Sequence, residues 1–204
     1  MDVPIYVISL LGDTRRQRVK THLDSLNIPF KFWDAFNGQQ MGIKTSFGYD
    51  RDHDATYWAT NPMFYVGPGV NALALTNFAL IQHCLMSGYE DVIICEDDLV
   101  VVPDFLSSVD KIKANLPKDY DMCHLTWDCL HWKNPYKQYI DIGKCLTTAC
   151  MLYSRKGMEK VHACRKTGVP YDIYLFDIFE PQYLAWPKLG YQRSISGEDK
   201  TTLS

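Results

Sequence analysis

Three consecutive carboxylates, Glu96-Asp97-Asp98, follow the apolar run Val92-Ile93-Ile94-Cys95. A short apolar run with β-branched residues reads as a fully buried strand. Ionised carboxylates cost too much to sit inside a sheet, so these acids belong at its carboxyl edge, where open α/β sheets bind ligands. Clustered carboxylates repel one another, and a hard cation removes that penalty. Mg²⁺ or Mn²⁺ takes oxygen ligands and keeps waters and substrate phosphates. The competing reading is a solvated acidic turn or a helix N-cap, because Pro103-Asp104 opens a helix soon after.

Other charged groups carry weaker signals. Arg15, Arg16 and Arg18 open the first helix just after the first strand. They read as a surface helix face or as guanidinium forks for an anion at the sheet edge. Asp172 and Asp177 follow the break Pro170-Tyr171. A free carboxylate there suits a general base, and a helix cap at Asp172 is the ordinary alternative. Asp50, Asp52 and Asp54 alternate like the start of a calcium loop. Ala55 stands where the turn glycine is needed and Asn61 where the bidentate Glu belongs, so a solvated loop is expected rather than an EF-hand, with an acceptor-site role as the alternative. Cysteine and histidine spacings give no zinc site, and glycine-rich dinucleotide, Walker and nucleophile-elbow motifs are absent.

Alternating helical and strand patterns must position these groups. Residues 4–10 read as a strand, 14–26 as a helix capped by Asp13 or Thr14, and 29–33 as a second strand. A helix over 70–87 keeps Val70, Leu73, Ala74, Phe78, Ile81, Cys84 and Leu85 at helical spacing, with Gly88 at its C′ position. Further strands are expected at 91–95, 121–126 and 146–154, and helices near 103–116, at 155–166 and from Asp172. Residues 37–68 read as a long functional loop carrying Tyr49, Tyr57, Trp58, Phe64 and Tyr65. A second loop at 127–145 holds Trp132 and Tyr136 and begins with Trp127 and Asp128, the acceptor-side candidates. The class is α/β, with a mainly parallel central sheet and helices on both faces.

Composition bounds the partners. The chain has 204 residues, 47% apolar and 22% charged, with a formal net charge of -3. That fits a single domain, 1–204, and offers no basic field for nucleic acid. Residues 55–89 contain no Lys, Arg, Asp or Glu. Asn61, Asn71, Asn77, Gln82, His83 and Gly67-Pro68-Gly69 interrupt that stretch, so it reads as loop plus buried helix and no transmembrane segment is expected. Seven cysteines without a dense framework, and an N-terminus lacking a basic region, lead to an expected cytoplasmic, reducing setting with no signal peptide.

Taken together, the motifs resemble glycosyltransferase family 25, the lipopolysaccharide-type and collagen-type β-glycosyltransferases. Ile8-Ser9-Leu10 with Arg16 resembles the family's opening I-N-L and later arginine. Asp34-Ala35-Phe36-Asn37-Gly38 resembles its A-x-D/N-G, and Ala74-Leu75-Thr76-Asn77 falls where A-L-S-H is usual. Ile94-Cys95-Glu96-Asp97-Asp98 matches I-L-E-D-D, and Pro103-Asp104-Phe105 matches P-D-F. Asp119-Tyr120-Asp121, the run Thr147–Gly157, Pro170-Tyr171-Asp172, and Gln192 with Ser194 resemble the later motifs. The departures are Thr76-Asn77 for Ser-His and no Gly-Cys before Ala74.

The resemblance implies a GT-A fold, a nucleotide-sugar donor such as UDP-galactose or UDP-glucose, a glycan acceptor, Mn²⁺ or Mg²⁺, and inversion at the anomeric carbon. It implies metal contact by Asp98 with Asp97 beside it. Donor contacts would come from Ser9, Leu10, Arg16, Asn77, Glu96 and Asp97. The base would be Asp172, with Asp177 as the second choice. Competing readings are a metal-dependent nucleotide-sugar or phosphate-ester hydrolase and a non-catalytic nucleotide- or glycan-binding module.

Overall fold

The structure is a computed structural model, and it describes residues 3–43, 46–47, 65–128, 130–165 and 168–193. Tyr49, Tyr57, Trp58, Phe64, the acids Asp50, Asp52 and Asp54, and Ser194 lie outside the described residues. The first strand β1 (Ile5–Ser9) leads into helix α1 (Thr14–Ser25), and β2 (Lys31–Asp34) follows. Asp13 caps α1, its carboxylate accepting from the Arg15 amide over 2.8 Å. The ladder β3 (Ser46–Phe47) with β4 (Tyr65–Val66) precedes helix α2 (Pro68–Met86). Pro68 sits in the first turn of α2, where no amide hydrogen is needed, and Gly88 takes φ 73 just beyond its end.

Next come β5 (Asp91–Glu96), β6 (Leu99–Val101), α3 (Phe105–Asn115), β7 (Met122–His124), β8 (Leu130–Lys137) and β9 (Ile140–Cys145). The chain continues through β10 (Cys150–Ser154), α4 (Arg155–Ala163), α5 (Tyr171–Ile178), β11 (Gln182–Ala185) and β12 (Gly190–Gln192). The central sheet has the order β2-β1-β5-β10-β7-β11-β9-β8. β2, β1, β5, β7, β11 and β8 run one way, and β10 and β9 run the other. By strand direction the sheet is therefore mainly parallel.

Strand alternation sends successive side chains to opposite faces, and each face has its own core. Ile5, Val7, Cys95, Cys123 and Leu152 meet Val19 and Leu23 of α1 and Phe105, Val109 and Ile112 of α3. Tyr6, Ile8, Ile94, Met122 and Tyr153 meet Phe78 and Ile81 of α2, Met158 and Val161 of α4, and Tyr171 and Tyr174 of α5. Both faces of β5 are thus covered, which is why its sequence is a continuous apolar run. α2 is long and apolar enough to cross a membrane by length and composition. Its buried Ala74, Phe78, Leu80, Ile81 and Cys84 account for that character as core contacts.

Several expectations need correction. The region 127–145 is largely a hairpin, β8–β9, rather than a loop, and Tyr139 takes φ 68 in its turn. Its polar, aromatic-rich first strand lies at the sheet edge, where alternation is weak because the burial demand is weak. The expected strand 146–154 starts only at Cys150, leaving Thr147 and Thr148 to bend across the edge. The short strands β6, β11 and β12 gave no periodic signal at three or four residues each.

Candidate active site at the carboxyl edge of the sheet

β1, β2, β5, β7 and β11 all end at one edge, and antiparallel β10 begins there. Parallel register places Ile8 beside Glu96 and Ser9 beside Asp34. The exits therefore present Ser9, Asp34, the acidic turn, Trp127 and Trp186 along one rim, with Thr148 arriving from the start of β10.

Each carboxylate of the turn has a different environment. Glu96 Oε1 accepts from the Thr148 hydroxyl over 2.5 Å, and Oε2 accepts from the Gln192 amide over 3.2 Å. Gln192 comes within reach because β12 pairs with β6, directly after the turn. Burial pushes the Glu96 carboxyl up to about 7, and the neighbouring Asp98 charge adds to the push. Asp97 Oδ2 accepts from Ser9 Oγ over 2.7 Å, and Oδ1 lies 3.4 Å from the Arg15 guanidinium. Burial raises Asp97 above the ordinary carboxylate range, opposed by Ser9 and Arg15. Asp98 is 5% exposed, and its main-chain carbonyl accepts from the Arg193 amide over 3.0 Å.

The two arginines of the first helix diverge. Arg15 bridges Asp97 and Asp13, while Arg16 pairs with Asp34 over 2.6 Å and lies 4.0 Å over the Phe32 ring. Arg15 is the arginine that reaches the acidic turn, and Arg16 braces the β1–β2 rim. The Leu10 carbonyl accepts from the Asp13 amide over 3.3 Å in the turn between β1 and α1. Asn77 is buried in α2 and donates to the Leu73 carbonyl over 3.0 Å. Its neighbour Thr76 accepts from the Phe36 amide over 2.9 Å, tying the exit of β2 to α2.

Asp172 and Asp177 separate clearly. Asp172 occupies the first turn of α5, accepts from the Ile173 amide over 2.9 Å, and is raised above the usual range by burial. Its charge is the smallest of the contributions to the rise at Glu96, behind burial and the neighbouring Asp98. Asp177 is exposed. Five residues along a helix, it points about 140° away from Asp172.

At the far end of the rim Trp127 stacks on Trp186, with Asp128 paired to Lys188. Sequence reasoning missed Thr148, Trp186 and the Arg15–Asp97 contact as site features. The available signal was the Thr147-Thr148 pair ahead of an apolar strand.

The chemistry of the donor set defines what cation the edge can hold. Among the described residues no group of three or more His, Cys, Asp or Glu side chains is arranged as a metal cage. Both oxygens of Glu96 and of Asp97 already face protein donors. The turn thus fits a cation that takes one or two carboxylates and draws its other ligands from water and a diphosphate, as Mg²⁺ does.

The chain is similar to several proteins of known structure. The A197 protein from STIV superposes with a TM-score of 0.52 at 14% identity, covering 90% of this chain and 81% of that one. A glycosyltransferase involved in glycosylation of the major capsid of PBCV-1 gives 0.44 at 12% identity, covering 89% and 81%. Mannose-1-phosphate geranyltransferase from Thermus thermophilus gives 0.48 at 10% identity, covering 91% and 74%. No curated protein sequence matches the chain. The model of glycosyltransferase family 25 (LPS biosynthesis protein) matches residues 2–169, and the chain belongs to that family.

Proposed function

We propose that the chain is an inverting hexosyltransferase. It moves a sugar from a nucleotide diphosphate donor, such as UDP-galactose or UDP-glucose, to a glycan hydroxyl, as in lipopolysaccharide assembly. The observation that carries this reading is the convergence at one rim of the acidic turn and the Ser9–Asp97–Arg15 contacts.

Asp98, with Asp97 behind it, would hold Mn²⁺ or Mg²⁺. Such an ion, when bound, neutralises charge on the leaving diphosphate as a Lewis acid. The chain's own groups do the rest. Arg15 offers a guanidinium that a diphosphate can share with Asp97. Ser9 fixes the Asp97 carboxylate, and Thr148 with Gln192 fixes Glu96 for hydrogen bonding to the donor. Asp172, ionised, takes the proton from the acceptor hydroxyl as that oxygen attacks the anomeric carbon opposite the diphosphate. Burial lifts its basicity toward that task.

A thermal-shift panel of nucleotide sugars, with and without Mn²⁺, tests this reading. A UDP-sugar that stabilises the protein only with metal supports it, and Asp98→Asn abolishes the shift. Full metal-dependent transfer by Asp98→Asn would overturn the assignment. Turnover independent of added acceptor would make the protein a hydrolase instead.

A further inference from the structure

The rim carries a second cluster, two and three strands from the acids. β7 runs out through Thr126 to Trp127 and Asp128, and β11 runs out from Ala185 to Trp186. Parallel pairing, with Leu184 beside His124, brings these exits together. The two indoles stack with centroids 5.7 Å apart and planes 23° from parallel. Trp127 is pinned, its Nε1 donating to the Ala185 carbonyl over 2.8 Å. Trp186 is 49% exposed although every residue of β11 before it is buried.

Two ion pairs frame this aromatic surface. Lys133 of β8 sits 3.2 Å from the Trp186 ring centroid and pairs with Asp141 over 2.8 Å. Lys188 pairs with Asp128 and lies 5.8 Å from the Trp127 centroid. Among the described residues of this cluster, both lysines are matched by a carboxylate. With strands about 4.8 Å apart, β7 and β11 lie roughly 10 and 14 Å from β5 across the sheet. A pyranose ring is smaller than that lateral spacing, which is therefore compatible with a donor sugar between the acidic turn and the indoles.

We infer that Trp186, backed by Trp127, is the platform for the acceptor sugar, and that this sugar is a neutral hexopyranose. The inference rests on the transferase reading of the same rim. A pyranose offers an apolar face of C–H groups and an equatorial belt of hydroxyls. The exposed indole suits the first. The Asp128–Lys188 pair and the Lys133 ammonium offer acceptors and donors for the second. Among the described residues the two cations of the cluster are already paired with carboxylates, which disfavours an acidic sugar.

Titration with methyl β-galactopyranoside, methyl β-glucopyranoside and methyl α-mannopyranoside, followed through the indole N–H signals by NMR, tests the platform directly. At least one glycoside should move the Trp186 and Trp127 signals. Trp186→Ala should weaken its binding roughly two- to tenfold, and Trp186→Phe should restore most of it. The thermal shift given by UDP-galactose with Mn²⁺ should be unchanged in Trp186→Ala. If none of the three glycosides moves either signal, or if binding to Trp186→Ala stays within the error of wild type, the platform is wrong. If glycosides bind as described while no nucleotide sugar stabilises the wild type, the transferase reading fails and the sugar platform stands.

Discussion

Ser9 Oγ donates to Asp97 Oδ2 over 2.7 Å, so the last residue of the first strand is latched to the middle of the acidic turn. Both residues are buried. Removing the hydroxyl leaves one carboxylate oxygen without that donor in a desolvated position. Ser9→Ala is therefore expected to cost about 1–3 kcal/mol in urea denaturation. It should also weaken binding of a UDP-sugar with Mn²⁺, because Asp97 then leans on Arg15 alone. A variant as stable as wild type would show that the latch is incidental.

Gly38 closes the run that follows β2, and a Cβ there would collide with the Pro68 carbonyl at the start of α2. That backbone cannot yield cheaply. Gly38→Ala should lower stability by about 1–3 kcal/mol through overpacking. Gly67, the N-cap of α2 with nothing near its would-be Cβ, is the comparison and should lose less to alanine, only the cost of a poorer cap. Equal melting temperatures for the two variants would refute the close-approach account.

The contrast between Gly38 and Thr148 shows what the sequence could reveal. β5 and its acids were legible because a buried strand and charges at its end are both local in sequence. The glycine after β2 was legible only as part of a run, since its reason lies far along the chain, against Pro68. Thr148 and Gln192 meet Glu96 across 52 and 96 residues, and no spacing rule spans such gaps. The choice of Arg15 over Arg16 also escaped. Neighbouring helical residues point about 100° apart, and only the docking of α1 decides which one faces the turn. Trp127 was visible as the residue after a strand. Trp186 was not, because four residues of β11 are too short to show a period.

His124 is fully buried at the end of β7, with one ring nitrogen 3.0 Å from the Thr147 carbonyl and the other 3.3 Å from Gln182 Oε1. Burial lowers its pKa to about 4. The unfolded chain binds this proton near pH 6.5, and the folded chain only near 4. Its contribution to stability is therefore fully present above about pH 6.5 and is lost as pH falls toward 4, amounting to about 3 kcal/mol. His22 is lowered by burial too and acts in the same direction. Urea midpoints measured between about pH 7 and 4 should fall in wild type and fall less in His124→Gln. Parallel curves would remove His124 as the cause.

Asp172 should be distinguishable from Asp177 by kinetics. Asp172 lies where its charge reaches Glu96, and Asp177 is exposed on another side of α5. A general base acts only when ionised, and burial raises the pKa of Asp172. The rate should therefore climb with pH along an acid limb displaced above the ordinary Asp value of about 3.9. Asp172→Asn should lower kcat by roughly 10²- to 10⁴-fold while leaving the donor-dependent thermal shift intact. Asp177→Asn should behave as wild type in both. If Asp172→Asn kept its rate and its acid limb, the base would have to be sought elsewhere on the rim. If it lost donor binding instead, Asp172 would belong to the donor pocket rather than to the proton transfer.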